Sequence, residues 1–397
     1  SNYYFNEAEK YMEQVRSGVG DIAIGTLVNP MMQKYKGEDF EKFMIHYYKT
    51  LNYLHLKKTE DALVEARRIT LQTQQQGDKF NEKNSRYSKD AFSLMLQGII
   101  YEAGNDINNA FIAYRNAVEV YQNSPNGTYY GVSIPEQLKK DVIRTAYLNG
   151  FQGEFERFQK MFNTTYQPER TSKGGELIIF WENGLAPIKE EENLFFSLLK
   201  DQNGYYFTDP GGQNKIPFNG GGLGFETNTI KLQDLETFRI AFPKYVARPL
   251  FYTSASISLN NTTIQLEKSE DINELAFETL RQRFAKEIAT ALSRLAVKKI
   301  IQYGVEGKSY DSKKKKNKEV RGGLATAIQL YSLFSEQADT RNWQSLPSTI
   351  YYGRIPLQRG SNEIKLSITD KSGKEDIKTI KIEGNGELIF YNYSSSR

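Results

Sequence analysis

Between Leu94 and Ala117 the chain places Leu94, Gly98, Tyr101, Ala110, Tyr114 and Ala117 at a spacing that constrains its fold more than any other feature. Large residues alternate with small ones at helical intervals on two successive segments. This is the pattern of a helix–turn–helix in which Gly and Ala let two helices cross closely. Related pairs flank it. Residues 38–57 (Phe43, His46, Tyr47, Leu51) and 60–75 (Ala62, Ala66, Ile69) form a second unit, because aligning Ala62 on Ala110 also aligns Tyr53 on Tyr101. Leu138, Val142 and Ala146, followed by Phe155, Phe158 and Phe162, form a third. Such a unit buries its apolar face only against neighbours, so about three are the expected minimum.

This spacing resembles the tetratricopeptide repeat. Residues 1–167 are therefore expected to form an all-α, tetratricopeptide-like helical-repeat domain, opening with a helix over 1–16 (Tyr4, Ala8, Tyr11, Val15). Residues 17–30 are small and Gly-rich, and the polar stretch 72–88 lengthens one repeat. The character changes at 168–175. Glu176–Trp181 reads as a buried strand with a turn at Asn183 and Gly184, and residues 200–228 read as a glycine-rich loop. Phe238–Val246, Leu250–Leu259 and Thr262–Glu267 read as strands. A long helix follows over 271–303, with Asp271 and Glu274 as a capping box, and a second one over 322–337. Ile350–Leu357, Glu363–Thr369, Asp376–Ile382 and Glu387–Tyr393 predict a small antiparallel sheet. Residues 172–397 are thus expected to form an α+β domain with mostly antiparallel strands. Two domains suit a chain of 397 residues.

Composition removes several classes of chemistry. There is no cysteine, which excludes disulfides, thiolate metal sites and cysteine nucleophiles. Of the two histidines, His46 and His55 would stand about 180° apart on a shared helix at about 100° per residue, so they form no helical metal pair. Nothing supports a histidine-dependent triad or a cofactor site. A net charge of +4, from 52 basic and 48 acidic residues, makes no electrostatic case for nucleic acid. The longest apolar run, Leu194–Leu199, falls far short of the ~18 residues a membrane span needs and reads as core.

Three segments are similar to an uncharacterised family of bacterial cell-envelope lipoproteins with tetratricopeptide-like N-termini: Tyr53–Ile69, Trp181–Lys189 and Asp339–Leu357. The third carries the most specific pattern, in Arg341, Trp343, Leu346, Pro347, Arg354 and Pro356. The resemblance implies an exported, lipid-anchored protein of the envelope, facing the periplasm from the outer membrane. Its membrane contact would be only through a lipid-carrying cysteine upstream, an anchor absent from this chain. It implies no reaction and no cofactor.

Candidate contact residues follow from side-chain chemistry. Tyrosine offers an apolar ring and a polar tip. Tyr47, Tyr48 and the pair Tyr129 and Tyr130 are the expected surface candidates, whereas Tyr101 and Tyr114 occupy core positions of the repeat. Arg341, Trp343 and Arg354 read either as a binding hot spot or, preferably, as a structural joint with guanidinium on indole. The lysine run Lys313–Lys316 with Lys318 reads as a solvated loop, the stretch Asn219–Gly224 as a long loop without P-loop chemistry, and Glu190–Glu192 as an exposed turn or helix start. The expected function is a non-enzymatic scaffold or adaptor holding an envelope protein or peptide in its repeat groove. The alternative is a glycan or peptidoglycan binder using Trp181, Trp343 and residues 205–225 of the α+β domain.

Overall fold

A computed structural model describes residues 1–16, 34–80, 87, 89–167, 172–218, 237–310 and 337–396. The Asn219–Gly224 stretch, the lysine run, the segment 17–30 and nearly all of the expected helix 322–337 lie outside these residues. Helix α1 (Asn2–Arg16) is followed by three antiparallel pairs: α2 (Asp39–His55) with α3 (Thr59–Phe80), α4 (Ala91–Ala103) with α5 (Ile107–Gln122), and α6 (Glu136–Leu148) with α7 (Gln152–Phe162). These six pack in series, each on its neighbours in chain order. Local chemistry sets the starts. The Asp90 and Asp106 carboxylates accept from the backbone N–H of Ser93 and Asn109, filling donors that a first helical turn leaves open. Between α5 and α6 lies a short hairpin, β1 (Thr128–Tyr129) and β2 (Val132–Ser133).

The α4–α5 crossing confirms why Gly98 stands where it does. A Cβ there would lie 2.4 Å from the Tyr114 ring. Overpacking of this kind costs about 1–3 kcal/mol, against a helix-propensity gain of about 1 kcal/mol. Gly98→Ala is therefore expected to lower the thermal midpoint. A variant melting at or above wild type would mean that the crossing has slack.

Three four-stranded sheets follow. The strands are β3 (Glu176–Asn183), β4 (Ile188–Asp201), β5 (Gly204–Thr208), β6 (Lys215–Phe218), β7 (Phe238–Val246), β8 (Tyr252–Leu259), β9 (Thr262–Gln265), β10 (Glu267–Asp271), β11 (Thr349–Pro356), β12 (Gly360–Asp370), β13 (Glu375–Gly384) and β14 (Leu388–Ser395). The central sheet has the order β10-β11-β3-β14, the second β13-β12-β8-β9, and the third β6-β5-β4-β7. All neighbours are antiparallel except β14 and β3. Helix α8 (Ile272–Tyr310) follows β10 and lays Phe284 on Phe242 of β7, with rings 4.9 Å apart. This is an α+β chain. Residues 200–218, expected as loop, hold β5 and β6. Glu190–Glu192, expected as a turn, lie in β4, where Lys244 and Arg239 of β7 pair with Glu192 and Glu191.

Strand β3 is apolar from Leu177 to Trp181 because both its faces are covered there. Ile178 and Phe180 point into the helical core, while Leu177, Ile179 and Trp181 point into a second core shared with β8 and β12. The helices and the central sheet therefore have one core between them, running from Phe43 and Phe92 through Phe180 and Tyr352 to Leu292 on α8. No helix among the described residues is long and apolar enough to cross a membrane.

Candidate functional site

The face of α2 and α4 that carries Tyr47 and Phe92 is covered by the chain's own central sheet. Tyr47 of α2 and Phe92 of α4 both set their rings edge-on to Phe180 of β3, at 5.8 and 6.0 Å. Tyr47 is fully buried and donates to Glu182 at 3.0 Å, so it is core and not surface. The same burial holds the Tyr47 hydroxyl well above its usual range, with the Glu182 carboxylate adding to the shift. A groove partner reaching these side chains would have to displace the sheet.

Tyr48, one residue on, is half-buried between two other rings: Phe5 of α1 stacks on it at 6.1 Å and Trp343 tilts against it at 5.7 Å. Phe5 also touches Trp343 at 5.8 Å. The segment carrying Trp343 is pinned from several sides. Its backbone N–H donates to Glu41 at 2.7 Å, Asn342 donates to Pro187 O, and Lys189 donates to Arg341 O. Arg341 does not stack on the indole as expected. Its guanidinium grips Asp339 with two bonds, at 2.8 and 2.7 Å, and lies over the Tyr35 ring at 5.3 Å. Beneath it, Glu38 is buried between Lys189 and Arg283. Burial would raise the Glu38 carboxyl, but these two cations outweigh that and hold it low, whereas burial raises its neighbour Glu41.

Arg354 belongs to neither arrangement. It is buried on β11 and pairs with Glu102 of α4 at 2.8 Å, Asp141 of α6 at 3.2 Å and Glu176 of β3. Arg144 completes the cluster, 2.6 Å from Glu102 and 2.9 Å from Asp141. Arg354 is thus a joint between helices and sheet, far from Trp343. Tyr129 and Tyr130 form another joint. Their rings meet at 4.6 Å in the β1–β2 hairpin, Tyr129 donates to Lys89 O, and Tyr130 packs on Tyr87 at 5.6 Å. Burial pushes the Tyr130 hydroxyl up to about 12. Of the seven candidate residues, the structure sets Tyr48 against Tyr47 and Trp343, sets Tyr129 against Tyr130 elsewhere, and places Arg354 with neither group. Trp181 is fully buried and donates to Ser395, so it cannot lie against a glycan.

One group was missed. His46 is buried on α2, with Nδ1 2.9 Å from Glu65 of α3. Glu65 also pairs with the buried Lys49 at 2.8 Å, and Lys49 reaches Glu9 of α1 at 2.9 Å. His46, Glu65 and Glu9 help to wall a cleft of about 600 Å³ between α1, α2 and α3. Considering the two histidines only against each other hid the pairing, because the partner of His46 sits on the next helix. Among the described residues no cluster of three or more His, Asp or Glu side chains has the geometry to hold a metal ion.

The chain matches no family model, no curated protein and no solved structure.

Proposed function

We propose that this chain is a non-enzymatic protein-interaction scaffold of the bacterial cell envelope, a lipoprotein adaptor built on tetratricopeptide-like repeats. The reading is supported by three helical hairpins stacked in chain order and by the close Gly98–Tyr114 crossing that such repeats require. Export and lipid anchoring rest on the family resemblance of Asp339–Leu357. The buried ionic clusters fit the same reading, since Arg354 and Glu38 each tie several elements together rather than present an acid and a base to a substrate.

The observation that carries the proposal is the bare end of the stack. Leu148 is 55% exposed, Tyr147 45%, and Phe151 and Met161 36% each. Of the residues of α7, only Phe158 is buried. In a longer array the next hairpin would cover this surface, and exposed apolar patches mark interaction sites. With the inner face occupied by the central sheet, the partner docks here.

The test is affinity capture from detergent-solubilised envelopes with wild type and with Leu148→Glu/Phe151→Glu. A protein recovered in stoichiometric amount by wild type, and lost by a variant of unchanged melting profile, is the expected result. Equal recovery by both would overturn the docking surface. Retention of wild type on insoluble wall material alone would favour the glycan-binding alternative.

A further inference from the structure

The cleft between α1, α2 and α3 is lined mostly by polar and charged side chains. Helix α1 runs antiparallel to α2, with Asn2 bonded to Asn52 near one end and Glu9 to Lys49 further along. Most charges around the cleft are already matched within the chain, the exposed Asp61 apart. Lys10 pairs with Glu7 at 2.8 Å, Arg68 with Glu9 at 2.5 Å, Lys42 with Asp39 at 2.8 Å, and Lys49 with both Glu9 and Glu65. What the buried part of the wall leaves over is neutral. Gln72, nine-tenths buried, has an Nε2 with no hydrogen-bond partner. His46, 4% exposed, has its Nδ1 engaged by Glu65, while its Nε2 has no partner among the described residues. A buried amide donor left unmade is costly, and Gln72 Nε2 lines the same space as the open ring nitrogen of His46, so the pair calls for a ligand that supplies both bonds.

The chemistry of that ligand follows from the wall. A charged molecule would find no uncompensated buried counter-charge and would have to break an existing pair. A hydroxyl both accepts and donates, so it takes the N–H of Gln72 and satisfies a ring nitrogen whether or not that nitrogen carries a proton. Tyr3 and Tyr53 add aromatic surface to the same cleft, and such rings pack on the apolar C–H face of a pyranose. About 600 Å³ falls within the usual range for small-molecule sites. We infer that this cleft binds a small neutral saccharide, with hydroxyls on Gln72 Nε2 and His46 Nε2. The inference is independent of the scaffold reading, because the bare helical end at Leu148 and Phe151 lies on other helices.

The chain contains only two histidines, which makes the test direct. His46 and His55 ring signals in NMR spectra of the full chain are assigned with a His55→Gln variant. The protein is then titrated with cellobiose, with chitobiose and with glucuronate. The expected result is a saturable shift of the His46 signals by a neutral disaccharide, with His55 unmoved. Gln72→Leu is expected to weaken that binding about tenfold, the effect of losing one hydrogen bond. A His46 signal that neither disaccharide moves would overturn the proposal. So would a shift produced by glucuronate alone, or neutral binding that Gln72→Leu leaves unchanged at wild-type stability.

Discussion

Arg354→Ala is expected to destabilise the protein by about 3–5 kcal/mol, the usual cost of removing one partner from a buried ion pair. The guanidinium is fully enclosed, and its carboxylates come from α4, α6 and β3, as much as 252 residues away in the chain. Burial alone would favour losing the Arg354 proton, but Glu102, Asp141 and Glu176 outweigh it and hold the charge in place. Arg354 and Arg144 face these three carboxylates. That excess of acid agrees with the directions of the two innermost groups. Burial is overcome at Glu102, whose carboxyl Arg354 and Arg144 hold well below the usual range, while burial and the charge of Glu102 raise Asp141. Without Arg354, only Arg144 remains for both. A lowered carboxyl contributes stability above its unfolded value and loses it as the pH falls through the folded one, so wild type should lose the Glu102 contribution in acid. In Arg354→Ala the stability gap should therefore be widest near neutrality and narrow towards low pH. Thermal melts of both proteins across pH check this. Replacing Arg354, Arg144, Glu102 and Asp141 together by apolar residues should recover much of the loss, since apolar substitutes for whole buried ion clusters are often neutral or better. An Arg354→Ala midpoint equal to wild type across the range would mean that the cluster is solvated in solution.

Features encoded locally were legible in the sequence, and features made by distant pairing were not. Gly98 and Tyr114 lie sixteen residues apart on adjacent helices, and their spacing alone foretold the crossing. The same local reasoning found β3, because a strand covered on both faces is a continuous apolar run. It missed β4, where Glu190, Glu191 and Glu192 look solvated. They are solvated, but on a strand where Glu191 and Glu192 meet Arg239 and Lys244 of β7, 48 and 52 residues away. Tyr47 and Tyr48 were inseparable by periodicity. Neighbours on a helix point about 100° apart, and only the central sheet distinguishes them, sealing Tyr47 and leaving Tyr48 at the rim. Arg341, Trp343 and Arg354 shared a motif but not a place, because β11 carries Arg354 away to α4 and α6. His46 and Glu65 met only once α2 and α3 had folded against each other.

Glu270→Gln is expected to stabilise the protein at neutral and alkaline pH while changing little in mild acid. Glu270 is buried on β10, and no basic side chain is paired with it among the described residues. The groups that face it are acids and phenols: Asp90 at the start of α4, Asp271 beside it, Tyr87, Tyr121 on α5, and Tyr129 and Tyr130 of the hairpin. Burial raises its carboxyl well above the ordinary value, and the charges of Asp90 and Asp271 add to the rise. Burial raises Asp90 too, although Tyr87 and the Ser93 backbone N–H both donate to it. The sign of the linkage follows. A carboxyl raised on folding binds its proton more tightly in the native state, so its stabilising effect is complete below the unfolded value of 4.5. It is lost progressively as pH rises towards the folded value, at no more than about 1.4 kcal/mol per pH unit per proton. Glutamine keeps the shape and hydrogen-bonding capacity of the protonated acid and cannot ionise. The melting midpoint of wild type should therefore fall from mildly acid to mildly alkaline buffer, and that of Glu270→Gln should fall less. Asp90→Asn should act in the same direction but gain less, because that carboxylate also caps α4. A Glu270→Gln protein no more stable than wild type at pH above neutrality would place a counter-ion or water beside the carboxylate in solution, and the Tyr129–Tyr130 joint would then be a hydrated seam rather than a dry one.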